Sequence, residues 1–213
     1  MSNDTLLIMA GDVLTPGYCV EVGAYDGVNF DSTLPFEQLG WTVLCIEPNP
    51  FLQEYLVSNR KLVMECACAD YTGEATFTIL NKDVGCMDSA GSALKPRFDL
   101  VDFLGIRYIK NTKKVRVKVR RLDDCLEEAG FPRCDVVCID CEGGDLDVLR
   151  GFTIKRWNPR LVCVENWLDD PEYAKYFSTN GYRRLKRDWP NDYYVPEEAK
   201  DGHPEAADRL PAG

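Results

Sequence analysis

Short runs of apolar residues alternate along the chain with stretches whose apolar positions recur at helical spacing. That alternation predicts βα units around a mainly parallel sheet. Tyr18–Val22, rich in β-formers and closed by Gly23, is the first expected strand. A helix over Thr33–Leu39 follows, capped by Asp31 or Ser32, with Pro35 tolerated in its first turn and Gly40 ending it. Thr42–Ile46 and Val63–Ala67 read as strands on either side of a helix over Phe51–Asn59, and Ala75–Leu80 as an extra strand or hairpin arm. Leu122–Ala129 and the stretch opening at Asp145–Leu149 read as helices, Val136–Ile139 and Leu161–Val164 as buried strands. Asp192–Val195 is expected to close the sheet as a late, antiparallel edge strand.

Two stretches break the rhythm. Residues 81–112 hold three glycines and scattered Phe and Leu with no period, the mark of an irregular lid or insertion. Beyond Pro196 the chain is polar without apolar period, so 196–213 is expected as a disordered tail behind a domain over 1–195. Between them, Lys110–Arg121 carries seven Lys or Arg and no acid. Val115, Val117 and Val119 alternate there with basic residues, which predicts a half-buried strand with a solvated outer face; a grip on a phosphate is the competing use.

At 213 residues the chain suffices for one hydrophobic core, and 45% apolar with 28% charged residues is a globular balance. A net charge of -10 disfavours a general nucleic-acid partner. No run approaches the roughly 18 apolar residues of a membrane helix. Leu6–Ala10 is too short for a signal peptide's core and follows Asp4, so no membrane role and a cytoplasmic location are expected. Of the ten cysteines, Cys19, Cys45, Cys138 and Cys163 sit inside expected strands, and the one histidine, His203, lies in the tail. That spacing fits reduced core thiols rather than zinc.

In an open parallel sheet, ligands bind off the carboxyl ends of the strands. Four such places carry acid or glycine here: Glu21 to Gly27, Glu47-Pro48-Asn49-Pro50, Ala69-Asp70, and Asp140-Cys141-Glu142-Gly143-Gly144. A glycine turn lets backbone approach a ligand, and Glu47 can accept both hydroxyls of a ribose. A dinucleotide site would favour a third glycine and no acid beside the pyrophosphate. Glu21 and Asp26 instead suit a sulfonium and an amino group, which tips the balance from NAD to S-adenosylmethionine.

Val20-Glu-Val-Gly-Ala-Tyr-Asp-Gly27, Asn29–Thr33 and Leu39-Gly-Trp41 running into Ile46-Glu-Pro-Asn-Pro50 resemble the FkbM-type S-adenosylmethionine-dependent methyltransferases. The resemblance continues through Asn59-Arg60, Leu122-Asp123, Ile139-Asp-Cys-Glu-Gly143, Asp147–Gly151, Val164-Glu165, Asn180-Gly-Tyr182 and Asp192-Tyr-Tyr194. It implies an α/β, Rossmann-like class I methyltransferase fold: a doubly wound, mostly parallel seven-stranded sheet whose last strand is antiparallel. The implied reaction is O-methylation of a sugar or small-metabolite hydroxyl. The family's Asp-x-Glu-Gly-Ala-Glu reads here Asp140-Cys-Glu142-Gly-Gly144-Asp145.

Carried over by position, Glu21 and Gly23 meet the cofactor's methionine end, with Ala24, Tyr25, Asp26 and Gly27 completing the turn. Glu47 holds the ribose, Pro48 and Asn49 wall it, Ala69-Asp70 meet the adenine, and Asp140 borders the cofactor. An alcohol acceptor must lose a proton, and no histidine lies near any motif. Asp140, Glu142 and Glu165 are therefore the catalytic candidates. Asp140 and Glu165-Asn166 end neighbouring strands and offer hard oxygen ligands, as at the metal site of catechol-type O-methyltransferases. Capping of helices and loops is the favoured use of these acids, and Mg2+ is possible but not favoured. Trp167 is an even choice between stacking on a sugar ring and packing. A catalytically silent methyltransferase fold used for binding, an RNA cap methyltransferase and an NAD-linked dehydrogenase are the alternatives.

Overall fold

A computed structural model describes residues 3–80, 92–94 and 112–199. From the centre of the main sheet, β1 (Tyr18–Val22), β2 (Thr42–Ile46) and β3 (Leu62–Met64) step outward in parallel. The chain then leaves for a small second sheet made by β4 (Ala67–Cys68), β5 (Gly73–Leu80) and β6 (Thr112–Arg120). It returns on the other side of β1 with β7 (Val136–Ile139) and β8 (Leu161–Glu165), both parallel, and finishes with β9 (Tyr182–Asp188) and β10 (Asn191–Pro196), which pair antiparallel. The resulting order is β3-β2-β1-β7-β8-β10-β9. This is the expected doubly wound, mostly parallel seven-stranded α/β sheet. Helices α1 (Asn3–Ala10), α2 (Leu34–Gln38), α3 (Gln53–Asn59), α4 (Leu122–Glu128), α5 (Asp145–Arg150), α6 (Ile154–Trp157) and α7 (Pro171–Thr179) accompany it.

Both faces of the strands are covered, which is why they read as unbroken apolar runs. Val20, Val22, Leu44, Ile46, Val137, Ile139, Val162 and Val164 pack on one face. Cys19, Val43, Cys45, Val136, Cys138, Leu161, Cys163 and Tyr193 pack on the other. The strand cysteines thus act as small hydrophobes, and all nine described cysteines are free thiols.

Three expectations change. The strand expected over Val63–Ala67 is two: β3 ends at Met64, and Ala67–Cys68 pairs with Val119–Arg120 in the second sheet. Asp192–Val195 is antiparallel, but it lies inside the sheet between β8 and β9. The edge belongs to Tyr182–Asp188, whose charged residues suit an exposed edge. Helices α1, α6 and α7 were not expected. α2 is held by Asp31, whose Oδ1 accepts from the Thr33 and Leu34 N–H groups at 2.8 and 2.5 Å.

Most of the expected insertion, 81–91 and 95–111, lies outside the described residues, as does 200–213 of the expected tail. Past Val195 the described chain still packs: the Ala199 carbonyl accepts from Arg183 Nη2 at 2.8 Å. On β6, Val117 and Val119 are buried while Arg116 and Lys118 are exposed, so the basic residues form a solvated face. Among the described residues, no helix is long and apolar enough to cross a membrane.

Candidate active site

Strand register sets the site. Val22 lies opposite both Ile46 and Ile139, and Ile139 opposite Val164. The residues that follow, Gly23, Glu47, Asp140 and Glu165, therefore form a row along the carboxyl edge of the sheet. The order reverses between β1 and β7, where α/β sheets open a crevice for ligands.

The glycine turn is built for close approach. Gly23 has φ +89°, and a Cβ there would lie 1.9 Å from the Asp140 carbonyl oxygen. The N–H groups of Gly23 and Ala24 both donate to the Ile46 carbonyl, at 2.9 and 3.1 Å. Tyr25 is left-handed at φ 52°, and Gly27 at φ +80° packs where a side chain would strike Arg60 and Leu56. Glu47 is 6% exposed; it accepts from the Tyr25 N–H at 3.0 Å and the Asn49 N–H at 2.8 Å. Burial pushes its carboxyl up to about 7, against those two hydrogen bonds. Pro48 is half-buried beside it, and Gln53 Nε2 donates to the Glu47 carbonyl at 2.6 Å. Across the edge, the Ala69 carbonyl lies against Gly151, where a Cβ would come within 2.1 Å, and Asp70 is exposed.

Glu21 and Asp26 are tied into the protein itself. Glu21 lies within β1, so its side chain turns onto a sheet face. It accepts from the Ser32 N–H at 3.0 Å and the Thr33 hydroxyl, and faces Arg60 at 3.7 Å. Arg60 also holds Asp31 and Glu37, the latter at 2.9 Å. Burial, followed by the nearby Asp31 charge, raises the Glu21 pKa well above its ordinary value. Asp26 accepts from the N–H groups of Val28 and Asn29 at 3.0 and 2.7 Å and from the Asn29 amide at 2.6 Å. Both acids brace the turn from within.

The three acceptor-side candidates do come together. One carboxylate oxygen each from Asp140, Glu142 and Glu165 lies within 4.8 Å of the other two. Glu165 is 5% exposed, and both its Oε2 and Asp140 Oδ1 are buried without a hydrogen-bond partner among the described residues. Burial, then the Glu142 and Asp145 charges, raises Asp140 well above the carboxylate range; burial and Asp140 push Glu165 up to about 11. Asp145 does the capping expected of this group, accepting from Cys141 and Gly143 N–H at 2.9 and 3.2 Å. Asn166 does not join the cluster: its amide donates to Asp192 at 2.9 Å and its oxygen accepts from the Asp170 N–H at 2.8 Å.

One residue near this cluster went unread in the sequence. Trp189 packs edge-to-face on Trp167, centroids 4.7 Å apart, and is 57% exposed. Its place on the turn joining β9 to β10 depends on the unexpected edge strand, so no local pattern marked it.

The model of the methyltransferase FkbM domain matches residues 21–184. The chain is 29% identical to the 2-O-methyltransferase NoeI of Sinorhizobium fredii over 156 residues, 68% of this chain and 61% of that protein. It is 30% identical to the methyltransferase sdnD of Sordaria araneosa over 95 residues, 38% of this chain and 37% of that one. The chain thus spans less than two thirds of the length of these curated relatives. A precorrin-6y C5,15-methyltransferase from Geobacter metallireducens overlays with TM-score 0.45 at 12% identity, covering 91% of this chain and 85% of that one, a likeness too loose to bear on function. With the domain match covering most of its length, the chain belongs to the FkbM methyltransferase family.

Proposed function

We propose that this chain transfers a methyl group from S-adenosylmethionine to a hydroxyl oxygen of a sugar or other small metabolite. The observation that carries the reading is the pairing of a side-chain-free turn at Gly23 with a buried acid, Glu47, one strand away at the switch point. Those residues suit an adenosine-bearing cofactor: the turn at Gly23 carries no side chain, and the acid at the end of the second strand, Glu47, is placed to accept from a ribose. Glu47 accepts the ribose hydroxyls, Pro48 and Asn49 wall them, and Ala69-Asp70 border the adenine. Gly23 and Ala24, with the Tyr25 backbone, line the methionine end, and Gly27 lets the turn close on Arg60. Asp140 separates this half from the acceptor side.

When bound, S-adenosylmethionine supplies a methyl group already activated by positive sulfur. The protein aligns the acceptor oxygen with it and excludes water. A hydroxyl acceptor would give up its proton to solvent as it takes the methyl group, and Asp140, Glu142 and Glu165 would stand on the acceptor side to orient that hydroxyl. Trp167 and Trp189 offer an aromatic wall beside Glu165 for a sugar ring. The relative named as a 2-O-methyltransferase supports oxygen as the acceptor atom. The free thiols suit a reducing, cytoplasmic setting, and the charge of -10 favours a small-molecule or glycan acceptor over nucleic acid.

Calorimetric titration of S-adenosylhomocysteine into wild type and Glu47→Ala tests the reading. Loss of a charged hydrogen-bond acceptor is expected to weaken binding by about 1.5–3 kcal/mol. Binding of NAD with no binding of adenosylhomocysteine overturns the assignment.

A further inference from the structure

Asp140, Glu142 and Glu165 converge in a way that capping does not explain. Asp145 already serves the backbone of this loop, through Cys141 and Gly143. Asn166 is committed to Asp192 and Asp170. Asp140, Glu142 and Glu165 each bring a carboxylate oxygen within 4.8 Å of the others. Neither Asp140 nor Glu165 is paired with a lysine or arginine among the described residues. Glu165 is 5% exposed, with Oε2 buried and without a partner, and Asp140 Oδ1 is the same. A buried carboxylate oxygen with no donor is costly, and a cation at the cluster removes that cost for two such atoms at once.

The donor set selects the kind of cation. Three carboxylate oxygens with no sulfur and no imidazole suit magnesium, calcium or manganese. Ligand oxygens about 2.0–2.6 Å from such an ion lie about 3–5 Å from one another, and the three oxygens here fall within that spacing. Three protein ligands leave open positions on a six-coordinate ion. The cluster also adjoins the cofactor turn, because the Asp140 carbonyl packs directly on Gly23.

We propose that Asp140, Glu142 and Glu165 hold one divalent cation of the magnesium type, whose open positions take oxygens of the acceptor. Resting on the methyltransferase reading above, this makes the acceptor an oxygen-rich molecule whose hydroxyl is held, and its proton made easier to lose to solvent, by the ion. On this proposal these acids serve an ion rather than as caps.

The test is titration of chelator-treated full chain with Mn2+, followed by the loss of the free-ion paramagnetic resonance signal, alongside calorimetry with S-adenosylhomocysteine. Wild type is expected to bind one Mn2+. Glu165→Gln and, separately, Glu142→Gln are expected to weaken Mn2+ binding by about tenfold or more, with adenosylhomocysteine affinity within about twofold of wild type. Glu142→Gln, at a half-buried position, keeps the test decisive if Glu165→Gln unfolds, which the thermal midpoint shows. A wild type that binds adenosylhomocysteine but no Mn2+ at millimolar concentration overturns the cation site and leaves the methyltransferase reading standing. Variants that lose adenosylhomocysteine and keep Mn2+ overturn it too, assigning the acids to the cofactor's amino group. Mn2+ bound to this cluster with no adenosylhomocysteine binding overturns the parent reading instead.

Discussion

Replacing Arg60 by methionine separates two uses of buried charge in this protein. The Arg60 side chain is fully buried; it donates to Glu37 at 2.9 Å, to Asp31, and to the Thr33 hydroxyl at 3.0 Å, with Glu21 at 3.7 Å. The three carboxylate side chains it faces are at most 7% exposed. Methionine keeps an apolar stem of similar reach, so little packing is lost. The cost is electrostatic, because three acids are left in the interior without their cation. Breaking one buried pair costs about 3–5 kcal/mol, and in a chain of this size that lowers the melting temperature by about 6–20 °C. Arg116 is the control: it pairs with Glu74 at 3.1 Å, but both side chains are 64% exposed, so Arg116→Met is expected to cost about 0–1 kcal/mol.

Urea unfolding of both variants, at several pH values, is the assay. In Arg60→Met the stranded carboxyls take up protons on folding, so their folded pKa values rise. Stability of the variant relative to wild type is then expected to recover as pH falls and worsen as it rises. A loss under about 1 kcal/mol, or one that does not vary with pH, refutes the reasoning. Because Gly27 packs on the Arg60 stem, where a Cβ would come within 2.6 Å, the variant is also expected to bind adenosylhomocysteine more weakly even where it stays folded.

Gly23→Ala is expected to abolish adenosylhomocysteine binding in the calorimeter, since its Cβ would lie 1.9 Å from the Asp140 carbonyl oxygen, and to cost at least about 1–2 kcal/mol in urea unfolding from the left-handed backbone alone. Glu47 has a folded pKa raised to about 7 from 4.5, so its contribution to stability is fully present below pH 4.5 and is lost as pH rises through 7. Measured against Glu47→Gln, wild-type stability is expected to fall across that window and stay level outside it. Asp123 accepts from the Thr153 N–H and the Trp157 indole, both at 2.8 Å, so Asp123→Ala is expected to lose about 2–4 kcal/mol in the same assay.

The strands that carry the site were legible because they are buried on both faces, and continuous apolar runs such as Val136–Ile139 have little alternative use. Elements whose stability comes from one-sided packing were not. β9 reads Tyr-Arg-Arg-Leu-Lys-Arg-Asp, a sequence with no apolar period, and it forms because β10 offers an open edge. α6 is only four residues, too short for a helical repeat to show, and Trp157 within it is held by a hydrogen bond to Asp123, 34 positions away. The split between β3 and β4 was hidden for a similar reason. Only Glu65 interrupts the apolar positions from Leu62 to Cys68, and only the partner strands assign Met64 and Ala67 to different sheets.

At the site, one residue of register decided which acid lies inside a strand and which just beyond one. Glu21 and Glu47 both sit near a strand end in a loop-rich motif, and sequence spacing alone treats them alike. Yet β1 runs to Val22, which leaves Glu21 inside the strand, while β2 stops at Ile46, which puts Glu47 just beyond it. A side chain inside a strand must point to a face of the sheet, and Glu21 shares that face with Cys19, whose neighbours are the buried residues of the second core cluster. An acid on such a face needs a cation nearby. Arg60, at the end of α3, is that cation, and no spacing in the sequence links it to Glu21. The same logic separates Asp145 from Asp140 and Glu165. Asp145 opens a helix and can turn back on its own loop, so its oxygens are satisfied locally, whereas Asp140 and Glu165 lie at the ends of adjacent parallel strands and converge with Glu142. Local hydrogen bonding leaves two of their oxygens unanswered, and that is the physical reason to look for a cation there.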